Sequence, residues 1–493
     1  MTARILRSLL LLLPLTVPCI GISDTALETP APPAIRMAPP AAGLPALPAV
    51  VRNETPEQQQ ARLQWFREAR FGLFIHWGVY AVPAGFWQGK PVGAEWIMFQ
   101  GKIPVADYRA FARDFTAASY DPHAWAQLAA DAGIRYVVIT AKHHDGFALF
   151  DSAFSDWNAV KAAGARRDLI QPLAAAVRTK GLRFGVYYSQ SQDWVNPGGG
   201  KGRGAAWDPA QQGDFDHYLT AIALPQVREL VEKLDPDILW WDTEYQMTPE
   251  RARPFFDLVT AHPKLIHNSR LGGGVLGDFR TSEQRIPASA MLGRALEVNM
   301  TINGSWGFRS DDVNWKSPQQ LIRNLSDIAS KDGNYLLNVG PTAEGIIPQP
   351  EIDRLLAIGR WLKVNGEAIY ATRGGLYATQ LSWGRTTQRA HPNGGVTIYL
   401  HVWQWPADGR VLLPGVKQVA RAGRLLAGGT PVASSLTADG LVVTLPGAAP
   451  DPDVSVAALE FAAPLEITGE SPLTHDTGAS GTLADPSKSP PAQ

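Results

Sequence analysis

Cysteine is nearly absent from this chain of 493 residues, and charged residues are scarce. The single cysteine, Cys19, provides neither a disulfide framework nor a cysteine-based zinc site. Charged residues make up only 18%, and 45 Lys+Arg against 46 Asp+Glu leave a net charge of −1. A chain without a global positive field is not expected to bind nucleic acid or anionic lipid. Hydrophobic residues make up 45%, which is enough for a large buried core.

Several sequence motifs of common enzyme classes are also missing. No GxGxxG phosphate loop follows the first predicted strand, no GxSxG elbow occurs, and no cysteine nucleophile is available. The sequence therefore offers no obvious motif for dinucleotide binding and no obvious nucleophile for acyl transfer. Tryptophan, in contrast, is abundant at 16 residues, which raises the question of which flat apolar ligand these side chains face.

The first 23 residues are typical of a secretory signal peptide. Arg4 and Arg7 precede a leucine-rich stretch, and Gly21-Ile22-Ser23 offers small residues for cleavage. The apolar stretch is too short to span the ~30 Å hydrocarbon core of a bilayer. We expect cleavage, export to a bacterial periplasm or beyond, and no membrane insertion of the mature protein. An uncleaved anchor and a lipid-modified Cys19 are the alternatives.

Composition divides the rest of the chain into four parts. Residues 24–52 are rich in Pro and Ala and form a predicted linker, and residues 464–493 form a predicted disordered tail. Between these ends we predict a catalytic domain over residues 53–369 and a β-sandwich over residues 370–463.

Short apolar runs alternate with amphipathic segments in the larger part. The predicted strands are 71–75, 136–140, 184–188, 238–241, 265–267, 296–299 and 335–339, and the predicted helices are 122–132, 168–180, 224–234, 318–330 and 351–364. Asp121-Pro122 and Gly133 are typical start and stop residues of a helix. This alternation over ~300 residues predicts a parallel sheet closed into a (β/α)8-like TIM barrel, with an open doubly wound sheet as the alternative.

Beyond Tyr370 the pattern changes to short strands without helices. Predicted strands at 396–400, 411–413, 441–445 and 454–456 are bounded by Gly, Pro and Asp. Closely spaced strands of this kind indicate an antiparallel β-sandwich. The fold class is thus α/β, with a barrel followed by a sandwich.

The end of the fourth predicted strand carries a tryptophan and a carboxylate on one face. Trp240 and Asp242 are two residues apart and point the same way, whereas Trp241 faces the helix layer. Side chains at the carboxyl ends of barrel strands face the active site. The alternative role for Asp242 is that of a helix cap, which is worth ~1 kcal/mol.

Histidines follow the first and second predicted strands. His76 ends the first strand, and His143, His144 and Asp145 follow the second. The side chains of adjacent strand residues point in opposite directions, so the backbone would have to bend for these residues to bind one metal ion. We therefore favour hydrogen bonding to a polar ligand over a metal site, with loop packing as the third possibility.

Hydrolysis of a glycosidic bond needs a second carboxyl group beside Asp242, because one attacks or activates water and the other donates a proton. Glu244, Glu283 and Glu297 are the candidates. We place Glu283 in a loop at the rim, from which its side chain could reach into the active site as the proton donor. Glu297 lies in a predicted strand, where an ion pair inside the barrel is the alternative role. For Glu244 the alternative is an ordinary loop residue.

A series of motifs, in order, resembles glycoside hydrolase family 29, the α-L-fucosidases. The resemblance covers residues 57–461. The motifs are Trp65-Phe66, Arg70-Phe71-Gly72-Leu73-Phe74-Ile75-His76-Trp77-Gly78, Glu95-Trp96, Ala141-Lys142-His143-His144-Asp145-Gly146-Phe147, Tyr187-Tyr188-Ser189, Leu239-Trp240-Trp241-Asp242, Asn303-Gly304-Ser305-Trp306-Gly307, Leu337-Asn338-Val339-Gly340-Pro341 and Asn365-Gly366-Glu367-Ala368-Ile369-Tyr370.

The resemblance implies an enzyme that releases terminal α-linked L-fucose from an oligosaccharide or glycoprotein glycan with retention of configuration. By position in the motifs, Asp242 corresponds to the nucleophile that forms a covalent fucosyl intermediate. The positions that hold the sugar correspond to His76, Glu95, Trp96, His143, His144, Tyr188, Trp240, Arg270 and Trp306, with Trp306 near the fucose methyl group. No metal and no cofactor is implied.

The acid/base residue and the linkage preference depend on a short motif. Thr281-Ser282-Glu283 resembles the Thr-Pro-Glu motif of the branch that cleaves α-1,3 and α-1,4 linkages, with serine in place of proline. We therefore predict Glu283 as the acid/base, with Glu297 as the alternative. The rival functions are a catalytically inactive fucose-binding protein, a fucosidase of broad specificity with α-1,2 and α-1,6 activity, and a metal-dependent hydrolase built on His76, His143, His144 and Asp145.

Overall fold

The computed structural model describes residues 49–290 and 294–467. The predicted signal peptide, all but the last residues of the predicted linker, and the predicted tail beyond Ile467 lie outside these ranges. Within the two ranges, no helix combines the length and the apolar character needed to cross a membrane.

Eight parallel strands form the central sheet. They are β1 (Phe71–Ile75), β2 (Tyr136–Lys142), β3 (Arg183–Tyr188), β4 (Ile238–Trp241), β5 (Ile266–His267), β6 (Phe279–Glu283), β7 (Ala295–Thr301) and β8 (Gly333–Val339). Their order is β5-β4-β3-β2-β1-β8-β7-β6, and a parallel bridge between Asn268 and Phe279 joins the two edges. The prediction of a barrel is confirmed, and the open doubly wound sheet is wrong.

Strand β6 changes the predicted location of Glu283. The sequence predicts a loop at this position, but Glu283 is the last residue of β6 and pairs with Asn299 of β7. The strand was missed because its sequence is largely polar and only Phe279 is fully buried. Glu283 therefore projects from the carboxyl end of a barrel strand, as Asp242 does.

Seven helices of eight or more residues surround the barrel or close its end in the described ranges. They are α1 (Pro56–Ala69), α2 (Pro122–Asp131), α3 (Ile170–Thr179), α4 (Leu224–Leu234), α5 (Pro249–Thr260), α6 (Pro318–Ser330) and α7 (Gln349–Asn365), and shorter helices cover Ile97–Gln100, Val105–Ala110 and Phe215–Tyr218. The carboxylate of Asp121 accepts hydrogen bonds from the amides of His123 and Ala124, which explains why α2 begins there. Helices α1 and α5 were not predicted.

Alternation along the strands separates two hydrophobic layers. Phe71 and Leu73 of β1 pack against the helices, whereas Phe74 faces the interior together with Tyr187 and Trp240. Leu63 and Phe66 of α1 belong to the same interior cluster. Helix α1 therefore closes the amino-terminal end of the barrel, and the carboxyl ends of the strands remain free to build a site.

The C-terminal part is an antiparallel sandwich. Its strands are β9 (Gly384–Ala390), β10 (Val396–Val402), β11 (Arg410–Pro414), β12 (Ala422–Leu425), β13 (Ala433–Thr437), β14 (Gly440–Thr444) and β15 (Ser455–Phe461). One sheet has the order β9-β10-β15-β12 and the other β11-β14-β13. The predicted sandwich is confirmed, with β9, β12 and β13 as additional strands.

The described chain continues beyond the predicted domain limits at both ends. Val50 forms a parallel bridge with Val275, and Ile467 forms an antiparallel bridge with Val416. These two bridges do not decide where one domain ends and the next begins, so the limits at residues 53, 369 and 463 stay predictions.

Candidate active site

A narrow pocket lies at the carboxyl ends of the barrel strands. It is lined by Phe74, His76, Glu95, Trp96, His143, His144, Tyr187, Trp240, Asp242, Arg270, Glu283, Asn299 and Trp306. The structure thus brings together all the site residues predicted from the sequence except Tyr188. Both predicted catalytic carboxyl groups are among them.

Asp242 follows β4 and is held by three hydrogen-bond donors. Its Oδ2 accepts from the Tyr187 hydroxyl at 2.8 Å, and its Oδ1 accepts from Arg270 Nη1 and from the Thr243 amide, each at 2.8 Å. Burial, followed by the charge of Asp242, raises the pKa of Tyr187 well above 10, so its hydroxyl stays a donor. These contacts orient a carboxylate whose side chain is only 14% exposed.

The residue after Asp242 adopts a strained backbone conformation. Thr243 has φ of 53°, in the left-handed region that β-branched residues rarely adopt. The segment that follows β3 holds it there, because Gln190 Nε2 and Ser191 Oγ both donate to the Thr243 carbonyl, at 3.0 and 2.6 Å. Gln190 Oε1 also accepts from the Asp242 amide at 3.1 Å. Such strain is typical of functional sites, where the surroundings fix one conformation.

Arg270 connects the two predicted catalytic residues. Its Nη1 donates to Asp242 Oδ1 at 2.8 Å, its Nη2 donates to Glu283 Oε2 at 3.0 Å, and its Nε donates to Thr281 Oγ1 at 2.8 Å. Burial alone would lower the pKa of Arg270, but the charges of Glu283 and Asp242 raise it. The two carboxylates thus lie on either side of one guanidinium, with Asp242 deep and Glu283 44% exposed at the rim.

Glu297 lies inside the barrel beneath Trp240 and does not line the pocket. Its oxygens accept hydrogen bonds from the Tyr136 hydroxyl and the Trp240 indole, both at 2.7 Å. The alternative role as half of an ion pair is wrong, because these partners are neutral. Burial raises the pKa of Glu297 to about 7, against the effect of the two hydrogen bonds. Its observed contact orients an aromatic ring of the pocket floor.

The pocket histidines are neutral. Burial lowers the pKa of His76 to about 4. Burial also lowers the pKa of His143 well below 6.5, followed by the neighbouring imidazoles of His144 and His76, and it lowers the pKa of His144 well below 6.5, followed by the charge of Lys142. His76 Nδ1 lies 2.6 Å from Asn338 Oδ1, whose amide nitrogen donates to the Trp306 carbonyl. Nδ1 of His76 therefore carries the proton, and Nε2 can accept a hydrogen bond from a ligand.

Both histidines after β2 line the pocket, which corrects the expectation that adjacent residues diverge. The β2–β3 register shifts between Thr140 and Lys142, and a turn follows in which the Gly146 amide donates to the His143 carbonyl. Asp145 points away and accepts from the Tyr108 hydroxyl at 2.8 Å. The four residues of the metal-dependent alternative are thus not assembled.

A different group of potential ligand atoms does converge in the pocket. Nitrogen and oxygen atoms of His143, His144 and Asp242 lie within 4.8 Å of one another. His144 Nε2 is 3.5 Å from Asp242 Oδ2. The Arg270 guanidinium already contacts Asp242 and would repel a divalent cation, so the group is better suited to a polar organic ligand.

Tyr188 is the one predicted site residue that the structure places elsewhere. It points to the helix layer, where its hydroxyl donates to Gln226 Oε1 at 2.8 Å and its ring lies 4.9 Å from Lys142 Nζ. Tyr187 takes its place in the pocket. The pairing of Tyr187 with Trp240 in adjacent strands could have indicated this, because paired residues share a face.

Phe74, Tyr187 and Asn299 line the pocket without having been predicted. Phe74 and Asn299 occupy inward-facing positions of β1 and β7, a signal that strand alternation could have supplied. Asn299 Oδ1 and His143 Nδ1 are buried atoms without a hydrogen-bond partner among the described residues. Buried polar atoms are normally satisfied, so these two point to hydroxyl groups of a ligand.

A buried ion pair supports the histidine turn from behind. Lys142 Nζ, fully buried, lies 3.4 Å from Asp193 Oδ2 and donates to the Tyr218 hydroxyl and the Gln192 carbonyl, each at 3.0 Å. Burial lowers the pKa of Lys142, and the charge of Asp193 opposes that effect. The pair fixes the end of β2 against the segment that follows β3.

Glu95 connects two further walls of the pocket. Its Oε2 accepts a hydrogen bond from the Gly307 amide at 2.9 Å, next to Trp306. Burial raises the pKa of Glu95, against the effect of that hydrogen bond. The Trp306 ring lies 5.0 Å from the ring of His76. The pocket therefore combines aromatic surface with fixed donors and acceptors, which suits a sugar.

Comparisons with known proteins agree with this geometry. The family model described as "Alpha-L-fucosidase" matches residues 48–367. Human tissue alpha-L-fucosidase is 33% identical over 432 residues, covering 82% of this chain and 89% of that protein. Alpha-L-fucosidase isoenzyme 1 from Paenibacillus thiaminolyticus is 35% identical in sequence, with a TM-score of 0.72, and covers 83% of this chain and 100% of that one.

A third relative carries information on the reaction. A GH29 alpha-L-fucosidase from Bacteroides thetaiotaomicron, solved as a trapped covalent intermediate with 2-fluoro-fucosyl fluoride, is 26% identical with a TM-score of 0.74. It covers 85% of this chain and 99% of its own. The fold, the pocket and these matches lead to one conclusion: the chain belongs to glycoside hydrolase family 29 and is an α-L-fucosidase.

Proposed function

We propose that this α-L-fucosidase is a retaining exo-enzyme that forms a covalent fucosyl intermediate on Asp242, with Glu283 as acid/base. The observation that carries the proposal is the arrangement of these two carboxylates on either side of Arg270 in one pocket. Retaining glycosidases need carboxyl groups ~5 Å apart, and a shared guanidinium is compatible with that separation. The covalent intermediate of the relative from B. thetaiotaomicron supports the same chemistry.

The reaction has two displacements at the anomeric carbon. In the first, an oxygen of Asp242 bonds to that carbon while the bond to the departing glycan breaks, and Glu283 gives its proton to the departing oxygen. In the second, water attacks the same carbon, Glu283 takes the proton of that water, and Asp242 leaves. Asp242 is only 14% exposed and is held by Tyr187 and Arg270, so the nucleophile is oriented before the sugar arrives.

The remaining pocket groups match a deoxy sugar. Fucose has several hydroxyls and one apolar methyl group, so its pocket needs both polar atoms and aromatic surface. His76 Nε2 is available for a hydroxyl, as are His143 Nδ1 and Asn299 Oδ1, which have no hydrogen-bond partner in the part of the chain that the structure describes. Trp306 and Phe74, with rings 6.1 Å apart, offer apolar surface to the methyl group. The interior beneath Trp240 is filled, which favours a terminal sugar over an internal one.

The assignment of Glu283 as acid/base rests on access. Glu283 lines the pocket and is partly exposed at the rim, where the departing glycan would lie. Glu297 is fully buried, and its oxygens are occupied by Tyr136 and Trp240. Because a proton donor must reach the glycosidic oxygen, we assign this role to Glu283.

The proposed reaction proceeds without a metal ion. Activity of the enzyme after exhaustive chelation should equal that of the untreated enzyme. Loss of activity that one divalent metal restores would instead support a metal site on His143, His144 and Asp242, whose ligand atoms lie within 4.8 Å of one another.

We propose α-1,3 and α-1,4 linkages as the preferred substrates, because Thr281-Ser282-Glu283 resembles the motif of that branch. Initial rates on Lewis-type, H-type, core-fucosylated and xyloglucan-type oligosaccharides measure this preference. Fastest release from Lewis-type glycans is expected. Equal rates on all four would indicate broad specificity, including α-1,2 and α-1,6 linkages.

We also propose that the enzyme is exported to the periplasm or beyond after cleavage of residues 1–23. The positive residues, the short apolar stretch and the small residues at its end support this location. The N-terminal sequence of the mature protein and its recovery by osmotic shock measure it. An intact Met1 in the cytoplasmic fraction would contradict the proposal.

The nucleophile is tested with aryl α-L-fucosides. Asp242→Asn should abolish turnover, and azide should restore it in Asp242→Gly by attacking the exposed anomeric carbon, with a fucosyl azide as product. Wild-type protein that binds fucose but turns over no fucoside would favour the inactive fucose-binding alternative. Turnover that persists in Asp242→Gly without azide would reject the assigned nucleophile.

The acid/base is tested with two leaving groups. Glu283→Ala should lose ~10²–10⁴-fold in kcat/KM on substrates with a poor leaving group and far less on substrates with a good one. Glu297→Gln is the matched control, because the structure keeps that carboxyl out of the pocket. An equal loss on both substrates in Glu283→Ala would reject Glu283 as the acid/base. A loss confined to the poor leaving group in Glu297→Gln would also contradict the assignment.

A further inference from the structure

A second cleft of about 430 Å³ lies on the β-sandwich and shares no lining residue with the barrel pocket. We call it the sandwich cleft. Trp383, which leads into β9, and Trp405, which follows β10, provide its aromatic surface. Leu412 of β11 contributes apolar surface, and Ser382, Gln404 and Arg410 provide polar side chains. Its lining therefore combines aromatic and polar groups, as the lining of the barrel pocket does.

The two indole rings of the cleft are fixed by backbone contacts. Trp383 Nε1 donates to the Leu412 carbonyl at 3.0 Å, and Trp405 Nε1 donates to the Gly447 carbonyl at 3.1 Å. Each ring thus has its polar atom satisfied while Trp405 stays half-buried beside the cleft. A ring held in this way offers a flat apolar face without losing side-chain entropy when a ligand arrives.

Polar side chains frame this aromatic surface. Ser382, Gln404 and Arg410 are exposed and present a hydroxyl, an amide and a guanidinium to the cleft. Arg410 is the one charged side chain among the described lining residues. Together they offer donors and acceptors around a flat apolar face. A pyranose ring matches that arrangement, because it has an apolar C–H face and a perimeter of hydroxyls.

We propose that the sandwich cleft is a second carbohydrate site, which binds hexopyranose units of the glycans that carry the fucose. The α-L-fucosidase activity brings the chain into contact with such glycans, and the small concave volume suits one to three sugar units rather than a protein surface. A sugar ring stacks on Trp405, with its hydroxyls bonded to Gln404 and Arg410. The site holds glycans near the enzyme and takes no part in bond cleavage.

Binding of oligosaccharides without fucose tests the proposal, because they have no terminal residue for the barrel pocket. Calorimetry of the intact enzyme, saturated with free L-fucose, is performed with N-acetyllactosamine oligomers, cello-oligosaccharides and a xyloglucan heptasaccharide. Wild type should bind at least one of them. Trp405→Ala should weaken that binding about tenfold or more, and Gln404→Ala should weaken it measurably. Leu436→Ala, at an exposed sandwich position, is the matched control and should bind as wild type does.

Kinetics separate this site from the catalytic one. Trp405→Ala should keep wild-type kcat and KM on an aryl α-L-fucoside but show a raised KM on a fucosylated polysaccharide. The same melting temperature as wild type would show that the variant is folded. Three results would overturn the proposal: no binding of any of these oligosaccharides by wild type, unchanged binding in Trp405→Ala, or concentration-dependent self-association that Trp405→Ala abolishes.

Discussion

Replacement of Glu351 by glutamine should stabilise the enzyme at neutral pH. Glu351 lies in the first turn of α7 and is 2% exposed. Among the described residues, its carboxyl oxygens accept hydrogen bonds only from the Gly340 amide, at 3.3 and 3.2 Å. Burial raises its pKa from 4.5 to about 8, against the effect of that hydrogen bond. The folded carboxyl therefore keeps a proton at pH 7 that the unfolded carboxyl has lost.

The size and sign of the effect follow from this difference. The contribution of Glu351 to stability is fully present below pH 4.5 and is lost as the pH rises toward 8. Each pKa unit is worth ~1.4 kcal/mol, so the loss is about 3 kcal/mol at pH 7. Glutamine has the shape of the protonated acid and does not ionise in the unfolded chain. Glu351→Gln should thus raise the melting temperature by about 3 °C at pH 7 for a chain of this size.

Thermal unfolding at pH 4.5, 6, 7 and 8 measures the prediction. The difference between Glu351→Gln and wild type should be near zero at pH 4.5 and should grow with pH. Asp353→Asn is the matched control, because Asp353 is exposed in the same helix and accepts from Gln349. A Glu351→Gln variant that is less stable than wild type at pH 7, or whose advantage does not change with pH, would refute the reasoning.

Substitutions at three further positions test buried contacts. Glu297→Leu leaves the Trp240 indole without an acceptor and should lower the free energy of unfolding in denaturant by about 1–3 kcal/mol. Glu297→Gln should lower it by less than half as much, and equal losses in the two variants would contradict this. Lys142→Met leaves Asp193 buried without its cation and should lower the free energy of unfolding by about 3–5 kcal/mol, also measured with denaturant. A loss below about 1 kcal/mol would show that water reaches Asp193 in the variant. Gly72→Ala places a Cβ 2.3 Å from a ring atom of the buried Tyr136, so it should lower the free energy of unfolding by at least about 1 kcal/mol. An unchanged melting temperature would show that the Tyr136 ring moves aside.

The periodic parts of the fold could be predicted from the sequence, since they are long and have clear boundaries. Helix α6 has the same bounds as predicted, and α2 begins after Asp121. Strand β6 could not be predicted, because its polar side chains do not alternate with apolar ones. It becomes a strand only by completing the barrel beside β7, which is a tertiary effect that local sequence does not encode.

The site could be predicted to the level of residue types, but side-chain direction depended on the strand ends. The alternation rule correctly separated Trp240 from Trp241, because β4 is regular up to its last residue. The same rule was wrong for His143 and His144, where the register shift and the turn bring both rings into the pocket. The motif that contains Tyr188 does not indicate which face its side chain occupies. The pairing of the neighbouring Tyr187 with Trp240 of β4 decides that face.

The helix that closes the amino-terminal end of the barrel has a consequence for how the protein is made. Helix α1 is synthesised early, yet the Phe66 ring packs at a tilt against Phe279, and the Phe66 carbonyl accepts a hydrogen bond from Asn334, 268 residues later in the chain. Contacts of such long separation form late, so the interior stays incomplete until nearly every strand has left the ribosome. The export proposed above would therefore act on a chain whose barrel interior is not yet closed.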